Sequence, residues 1–379
     1  MLGNELLNEP REVIDGLKGV LVAKTALSSV NGTEGKLTVC GYDIEEFASN
    51  ATFEEAVYLL WNQKRASASE LQLFKHELAL NRELSILTLD LIKQLVNQNL
   101  QVLEVLQIAV ASMLPLIKDH DSNNLNIMLI AKFPTIIAYF WRLKHSNKII
   151  RPKPELGHVE NFFYMINGEL PSEKYIKPLE MYLITVMDHG MNASTFTSRC
   201  IISSGSDIIS AVLGALGSLK GPLHGGAPGP VLEMVLSIQK TNGLEAYLRE
   251  ILESGERIMG FGHRIYKTRD PRADVLKKAG SDFYKDNKTE IFDLFNSVEI
   301  KALELLKEYK FGREIHTNVE FYTAFLLYGL GFESELFTPL FAMARLAGWI
   351  AHAEEQKLEK SIIRPDSLYI GEYNKKWEL

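Results

Sequence analysis

The run Ile208-Ile209-Ser210-Ala211-Val212-Leu213-Gly214-Ala215-Leu216-Gly217-Ser218-Leu219, ending in Lys220-Gly221-Pro222-Leu223-His224-Gly225-Gly226, decides the fold class. Its first part is apolar over most of a helical surface, which marks a helix buried on every side rather than an amphipathic surface helix. Its second part is glycine and proline, which stop a helix and open a loop or a domain junction. Lys177 to Met187 reads as a second buried helix. Leu84 to Ile117 carries apolar residues every three or four positions, enough for two or more helices. Thr52-Phe53-Glu54-Glu55 and Ser67-Ala68-Ser69-Glu70 have the order of a capping box, in which a hydroxyl and a glutamate three residues on satisfy each other's backbone amides. Strand signals are confined to Lys36-Leu37-Thr38-Val39-Cys40, with Gly41-Tyr42-Asp43 closing a short hairpin. Without strand–helix alternation a doubly wound sheet is excluded, and the expectation is a mainly α chain. Lys144 to His158, with Pro152 and Pro154, reads as a loop between helices.

The chain has 379 residues, 46% hydrophobic and 23% charged, ordinary values for a globular protein with one large domain and a smaller one. Its net charge of −7, from 48 acids and 41 bases, argues against broad nucleic-acid or anionic-membrane binding. Cys40 and Cys200 are the only cysteines, too few for a disulfide framework. The start, Met1-Leu2-Gly3-Asn4-Glu5, meets acids and Pro10 before any apolar signal run. A cytoplasmic protein is expected.

Three histidines stand in glycine-rich settings: Asp188-His189-Gly190, Gly221-Pro222-Leu223-His224-Gly225-Gly226 and Gly260-Phe261-Gly262-His263-Arg264. Imidazole handles protons near neutral pH, and glycine lets a backbone approach a ligand closely. His224 is either a neutral imidazole donating to a developing enolate oxygen or a loop histidine beside a helix break. His189 is either a ligand or a satisfied histidine at a helix C-terminus, where the dipole favours its charge. Arg257, Arg264, Lys267, Arg269 and Arg272 crowd one segment opposed only by Asp270. That segment is either a solvated charged turn or an anion site in which the amides of Gly260 to Gly262 form a nest and guanidinium forks grip carboxylates. Arg345, in Arg345-Leu346-Ala347-Gly348-Trp349, and Arg364, before Pro365, lie in apolar stretches and call for an anion, from a ligand or a nearby glutamate. Glu320, in Asn318-Val319-Glu320-Phe321-Tyr322, is the candidate base. The remaining histidines, among them His76, His120 and His145, look like surface residues, and no Cys/His spacing suggests zinc.

Gly221 to Gly226, Gly260 to Arg264, Asp270-Pro271-Arg272, Phe341 to Trp349 and Arg364-Pro365 stand in the order found in citrate synthases, and the chain resembles that family over nearly its whole length. The resemblance is to the shorter, dimeric citrate synthase or 2-methylcitrate synthase type. It implies a helical fold with a large domain, 1–223 and 328–379, and a small domain, 224–327, that close over substrate. It implies a homodimer, with oxaloacetate and acetyl-CoA or propionyl-CoA as substrates. A coenzyme A thioester is then the co-substrate, with no permanently bound cofactor. By the same resemblance His224 stabilises the thioester enol, and His263 polarises the oxaloacetate carbonyl and protonates the alkoxide. His189, Arg272 and Arg345 hold oxaloacetate, with Arg364 supplied by the partner subunit. Lys267 lies near a CoA phosphate, and Gly260, Phe261 and Gly262 surround the adenine.

One position departs from the pattern. The family places an aspartate where this chain has Glu320, whose carboxylate sits one methylene, about 1.5 Å, further out. A misplacement of about 1 Å costs on the order of a hundredfold when orientation drives the rate. The expectation is a base of reduced efficiency. A non-catalytic acyl-CoA-binding homologue is the alternative from another class, and a ligand-free helical scaffold is the remotest.

Overall fold

In the computed structural model, residues 13–225, 228–241, 243–285 and 289–377 are described. The N-terminal residues read for a targeting signal, and Gly226 of the glycine–proline run, lie outside them. A small antiparallel sheet comes first, β1 (Ser28–Asn31), β2 (Lys36–Val39) and β3 (Tyr42–Asp43), in that order. The expected hairpin is β2–β3, with Val39 opposite Tyr42. Its two-residue turn places Cys40 at φ 47° and Gly41 at φ 88°, the left-handed pair that matches strand twist. β1 was not legible in the sequence, because Ser28-Ser29-Val30-Asn31 is short and polar.

Among the described residues, the remaining regular elements are helices, joined by loops. Helices α1 (Ile44–Asn50), α2 (Phe53–Asn62), α3 (Ala68–Leu80), α4 (Ile86–Leu95) and α5 (Val102–Ala111) lead to the long α6 (Ser122–Lys144). Then come α7 (His158–Asn167), α8 (Glu173–Val186), α9 (Ala193–Ser203) and α10 (Ile208–Lys220). The segment rich in site residues holds α11 (Pro228–Thr241), α12 (Leu244–Glu253), α13 (Pro271–Tyr284), α14 (Glu290–Tyr309) and α15 (Val319–Gly329), before α16 (Phe337–Lys357). Both capping boxes form: the Thr52 amide donates to Glu55 at 2.8 Å, and the Ser67 amide to Glu70 at 2.8 Å. Such caps supply roughly 1 kcal/mol each and fix where α2 and α3 begin.

The decisive run Ile208–Leu219 is α10, capped by Asp207, whose carboxylate accepts the Ser210 amide at 2.8 Å. It packs against α9, α16 and α5. The core centres on α6, which buries every residue from Leu125 to Phe140, and on α16, which buries every residue from Ala342 to Ala353. A helix enclosed on all sides needs apolar residues all round, so any charge on it must be matched or reserved for a ligand. Among the described residues, no helix is long and apolar enough to cross a membrane.

Candidate active site

Two loops and two helix N-termini build one side of the site. Phe261 and Thr317 form an isolated antiparallel bridge, reinforced by Gly262 N to His316 O at 2.8 Å and Asn318 N to Gly260 O at 3.0 Å. The chain can pass here because Gly260 has φ +87° and a Cβ at that position would meet Phe321 Cβ at 2.8 Å. The bridge ties the residue before His263 to the residues before Glu320. Asp270 caps α13, accepting the Arg272 amide at 3.1 Å, and also accepts Val319 N of α15 at 3.2 Å. The same carboxylate grips Arg272 through Nε at 3.0 Å and Nη2 at 2.9 Å. Arg272 is thereby buried and immobilised as a cation.

His263 Nδ1 accepts the amides of Ile265 and Tyr266, each at 3.1 Å. Its Nε2 lies 3.2 Å from Arg272 Nη2, so N–H donors face both ring nitrogens. Burial, then the charge of Arg272, hold its pKa down at about 4, so the ring is neutral at physiological pH. The Arg272 cation at the edge of this imidazole suits an anionic oxygen. Glu320 follows the cap Asn318, whose Oδ1 accepts the Glu320 amide at 3.1 Å. Among the described residues, its Oε2 is buried without a hydrogen-bond partner. Burial raises its pKa against the opposing pull of Arg272, and Asp270 adds to the rise. A carboxylate with one oxygen free of hydrogen bonds and a raised pKa is poised to take a proton.

The other side comes from α8, α9, α10 and α16. His224 follows α10 and places Nε2 2.8 Å from Ser194 Oγ and 3.3 Å from Ser194 N in the first turn of α9. Because Nε2 accepts that amide, the proton sits on Nδ1. Burial and Arg345 lower the His224 pKa to about 4. Trp349 of α16 donates Nε1–H to Ser194 Oγ at 3.0 Å and fixes the hydroxyl in turn. His189, just beyond α8, meets Tyr266 Oη at 3.0 Å through Nε2 and sits edge-on to His263 at 5.8 Å. Its pKa lies well below 6.5, from burial and then Arg272 and Arg345, so helix-dipole stabilisation of its charge does not prevail. Arg345 is buried on α16, donates Nε to Val186 O at 2.6 Å, and lies 4.6 Å from the Phe341 ring. Among the described residues it forms no ion pair, so the glutamate partner weighed for it is not there. Burial depresses its pKa to about 10 while Asp188 opposes the fall.

Beside His263 opens a groove of about 930 Å³, lined by Arg257, Arg264, Lys267, Lys310 and Arg313 with Phe261 and Gly262. Lys310 and Arg313 were not singled out in the sequence because they lie forty residues beyond the first cationic cluster. The nest expected at Gly260 to Gly262 is not complete, since the Gly262 amide is bonded to His316. Arg364 is exposed in the segment after α16, and no contact among the described residues brings it to the site. His158 and His352, expected at the surface with the other histidines, are buried.

The fold and these side chains define a helical enzyme whose site pairs neutral imidazoles and buried arginines with a carboxylate that has one oxygen free of hydrogen bonds. The sequence matches the family described as citrate synthase, C-terminal domain, over residues 16–366. The citrate synthase of Haloferax volcanii is 37% identical over 371 residues, covering 95% of this chain and 96% of the relative. The 2-methylcitrate synthase of Mycobacterium tuberculosis is 34% identical over 369 residues, covering 96% and 92%. The solved ternary complex of carboxymethyl coenzyme A and oxaloacetate with citrate synthase from Thermoplasma acidophilum superposes with a TM-score of 0.88 at 26% identity, covering 97% of this chain and 98% of that one. The chain belongs to the citrate synthase family.

Proposed function

We propose that the chain condenses acetyl-CoA with oxaloacetate and hydrolyses the resulting thioester to citrate and free CoA. Glu320 Oε2 removes a methyl proton while His224 Nδ1–H donates to the developing enolate oxygen. The enolate carbon attacks the oxaloacetate carbonyl, polarised by His263 Nε2–H, which passes its proton to the new alkoxide. Arg272, Arg345 and His189 hold the dianion, whose two carboxylates suit planar guanidinium forks. Water then cleaves the thioester. The groove cations Arg257, Arg264, Lys267, Lys310 and Arg313 take the CoA phosphates, and Phe261 with the neighbouring glycines borders the adenine.

The observation that carries this reading is the buried, unpartnered Oε2 of Glu320, supported by the His224 tautomer. A protein that only bound acyl-CoA would gain nothing from a carboxylate oxygen buried without a hydrogen-bond partner, which is costly. The likeness to the Thermoplasma complex supports both ligands. We assign residues 1–223 and 328–379 to a large domain and 224–327 to a small one that closes to exclude water. We further propose a cytoplasmic homodimer in which Arg364 reaches the partner's oxoacid site. The exposed Ile362, Leu368, Ile370, Tyr373 and Trp377 around it supply the apolar surface for such a contact. The likeness to 2-methylcitrate synthase keeps propionyl-CoA as the second reading, since one methylene shifts preference only about 10–200-fold.

CoA release followed with a thiol-reactive dye, with oxaloacetate and either thioester, tests the proposal. Release that requires oxaloacetate and is lost in His224→Ala supports it, and the faster donor selects between the two readings. No release from folded protein overturns it in favour of an acyl-CoA-binding role.

A further inference from the structure

The residues that touch substrate in this reading rest on a buried polar chain that the sequence did not disclose. Arg345, Gly348 and His352 recur at helical spacing on α16, so they share one face, and that face meets the segment 186–188 three times. Arg345 Nε donates to Val186 O at 2.6 Å. Gly348 lies so close that a Cβ there would be 2.3 Å from Met187 O and 3.1 Å from Asp188 Oδ1. His352 Nε2 stands 3.1 Å from Asp188 Oδ1. Behind His352, Arg199 of α9 offers Nη1 to His352 Nδ1 at 3.0 Å and to Glu355 Oε2 at 2.7 Å, and Nε to Gln356 at 2.9 Å. A guanidinium only donates, so Nδ1 is the acceptor and the ring's proton lies on Nε2, aimed at Asp188. Asp188, His352 and Arg199 are each 0% exposed.

We propose that Asp188, His352 and Arg199 form a positioning chain that fixes two ends of the oxoacid site, the His189 loop and the Arg345 guanidinium. The inference rests on the functional reading above. His189 is held from both neighbours: Asp188 by His352, and Gly190 through its amide, which donates to Ser28 Oγ at 3.1 Å. Asp188 also opposes the loss of charge that burial imposes on Arg345. The device therefore bears on the oxoacid and not on the acyl-CoA groove, which lies among other elements.

His352→Phe keeps a ring and removes both hydrogen bonds; His352→Gln can donate to Asp188 and accept from Arg199. The phenylalanine variant is expected to raise the oxaloacetate KM about tenfold or more, leave the acyl-CoA KM within about twofold, and lose the oxaloacetate-induced rise in Tm. The glutamine variant is expected to stay within about threefold of the parent. A folded His352→Phe protein with an unchanged oxaloacetate KM, or with both KM values raised together, overturns the proposal. Should His352→Phe not fold, Asp188→Leu, which keeps volume and removes the acceptor that His352 faces, carries the same expectation and the same refutation. The parent is assayed alongside: a parent without CoA release or oxaloacetate thermal response removes the functional reading and this one with it, whereas an active parent isolates the positioning chain.

Discussion

His263 Nε2 and Arg272 Nη2 stand 3.2 Å apart, while Nδ1 of the same imidazole accepts the amides of Ile265 and Tyr266. An oxyanion bound beside this pair meets the Arg272 cation and the imidazole edge together. Arg272→Lys keeps a charge but loses the fork that grips Asp270 and reaches His263. Its oxaloacetate KM is expected to rise about 10–100-fold in steady-state kinetics, with the acyl-CoA KM little changed.

Glu320 separates catalysis from stability. Glu320→Gln is expected to lower kcat by about a thousandfold, since no base remains. Its Tm at pH 7 should rise by about 1–3 °C, because an acid whose pKa is raised on folding loses stability as pH climbs through that raised value. Glu320→Asp tests reach: activity near or above the parent's means the glutamate is a handicap, whereas a fall as deep as that of Glu320→Gln means the site has adapted to the longer side chain.

The imidazoles give the opposite pH dependence. His224 and His263 are held at about 4, so both are neutral in the fold at pH 7 and resist protonation on acidification. A pKa depressed on folding contributes stability that is present above the unfolded value, about 6.5, and lost as pH falls toward 4. Scanning calorimetry from pH 7 to pH 4 should show a fall in Tm that is shallower by about 2–4 °C in His224→Asn, which cannot titrate.

Ser194 holds the His224 tautomer through its amide and hydroxyl. Ser194→Ala keeps the amide and is expected to reduce kcat about tenfold while the oxaloacetate KM holds, seen in parallel titrations of both substrates.

Lys310 and Arg313 face the same groove as Lys267. Lys310→Ala/Arg313→Ala together should raise the acyl-CoA KM about tenfold, leave the oxaloacetate KM unchanged, and weaken the salt dependence of kcat/KM, because exposed charges act through a screened field.

The helices were legible because their signals are local. Thr52 and Glu55, three residues apart, cap α2 without help from the rest of the chain, and the Ile208–Leu219 run cannot be solvated as a helix and so had to be buried. His189, His224, His263, Arg272 and Arg345 were legible as chemistry for a related reason: imidazoles among glycines and arginines in apolar runs conflict with ordinary local rules. β1 was missed because Ser28–Asn31 is held by pairing with β2 and by contacts of its turn, where Lys267 N donates to Gly32 O at 2.8 Å.

By itself, the sequence determined a mainly helical chain, the order of its motifs and the residues able to carry the chemistry, since propensity, capping and apolar spacing act within a few residues. Only the tertiary structure decided where His224 and His352 carry their proton, that among the described residues Arg345 has no carboxylate partner, that Lys310 and Arg313 share a groove with Lys267, and that His352 is buried against Asp188. Those outcomes depend on atoms brought together from positions up to 164 residues apart. A hydrogen bond's direction and a buried charge's cost are set by such neighbours, which the linear order of residues does not specify.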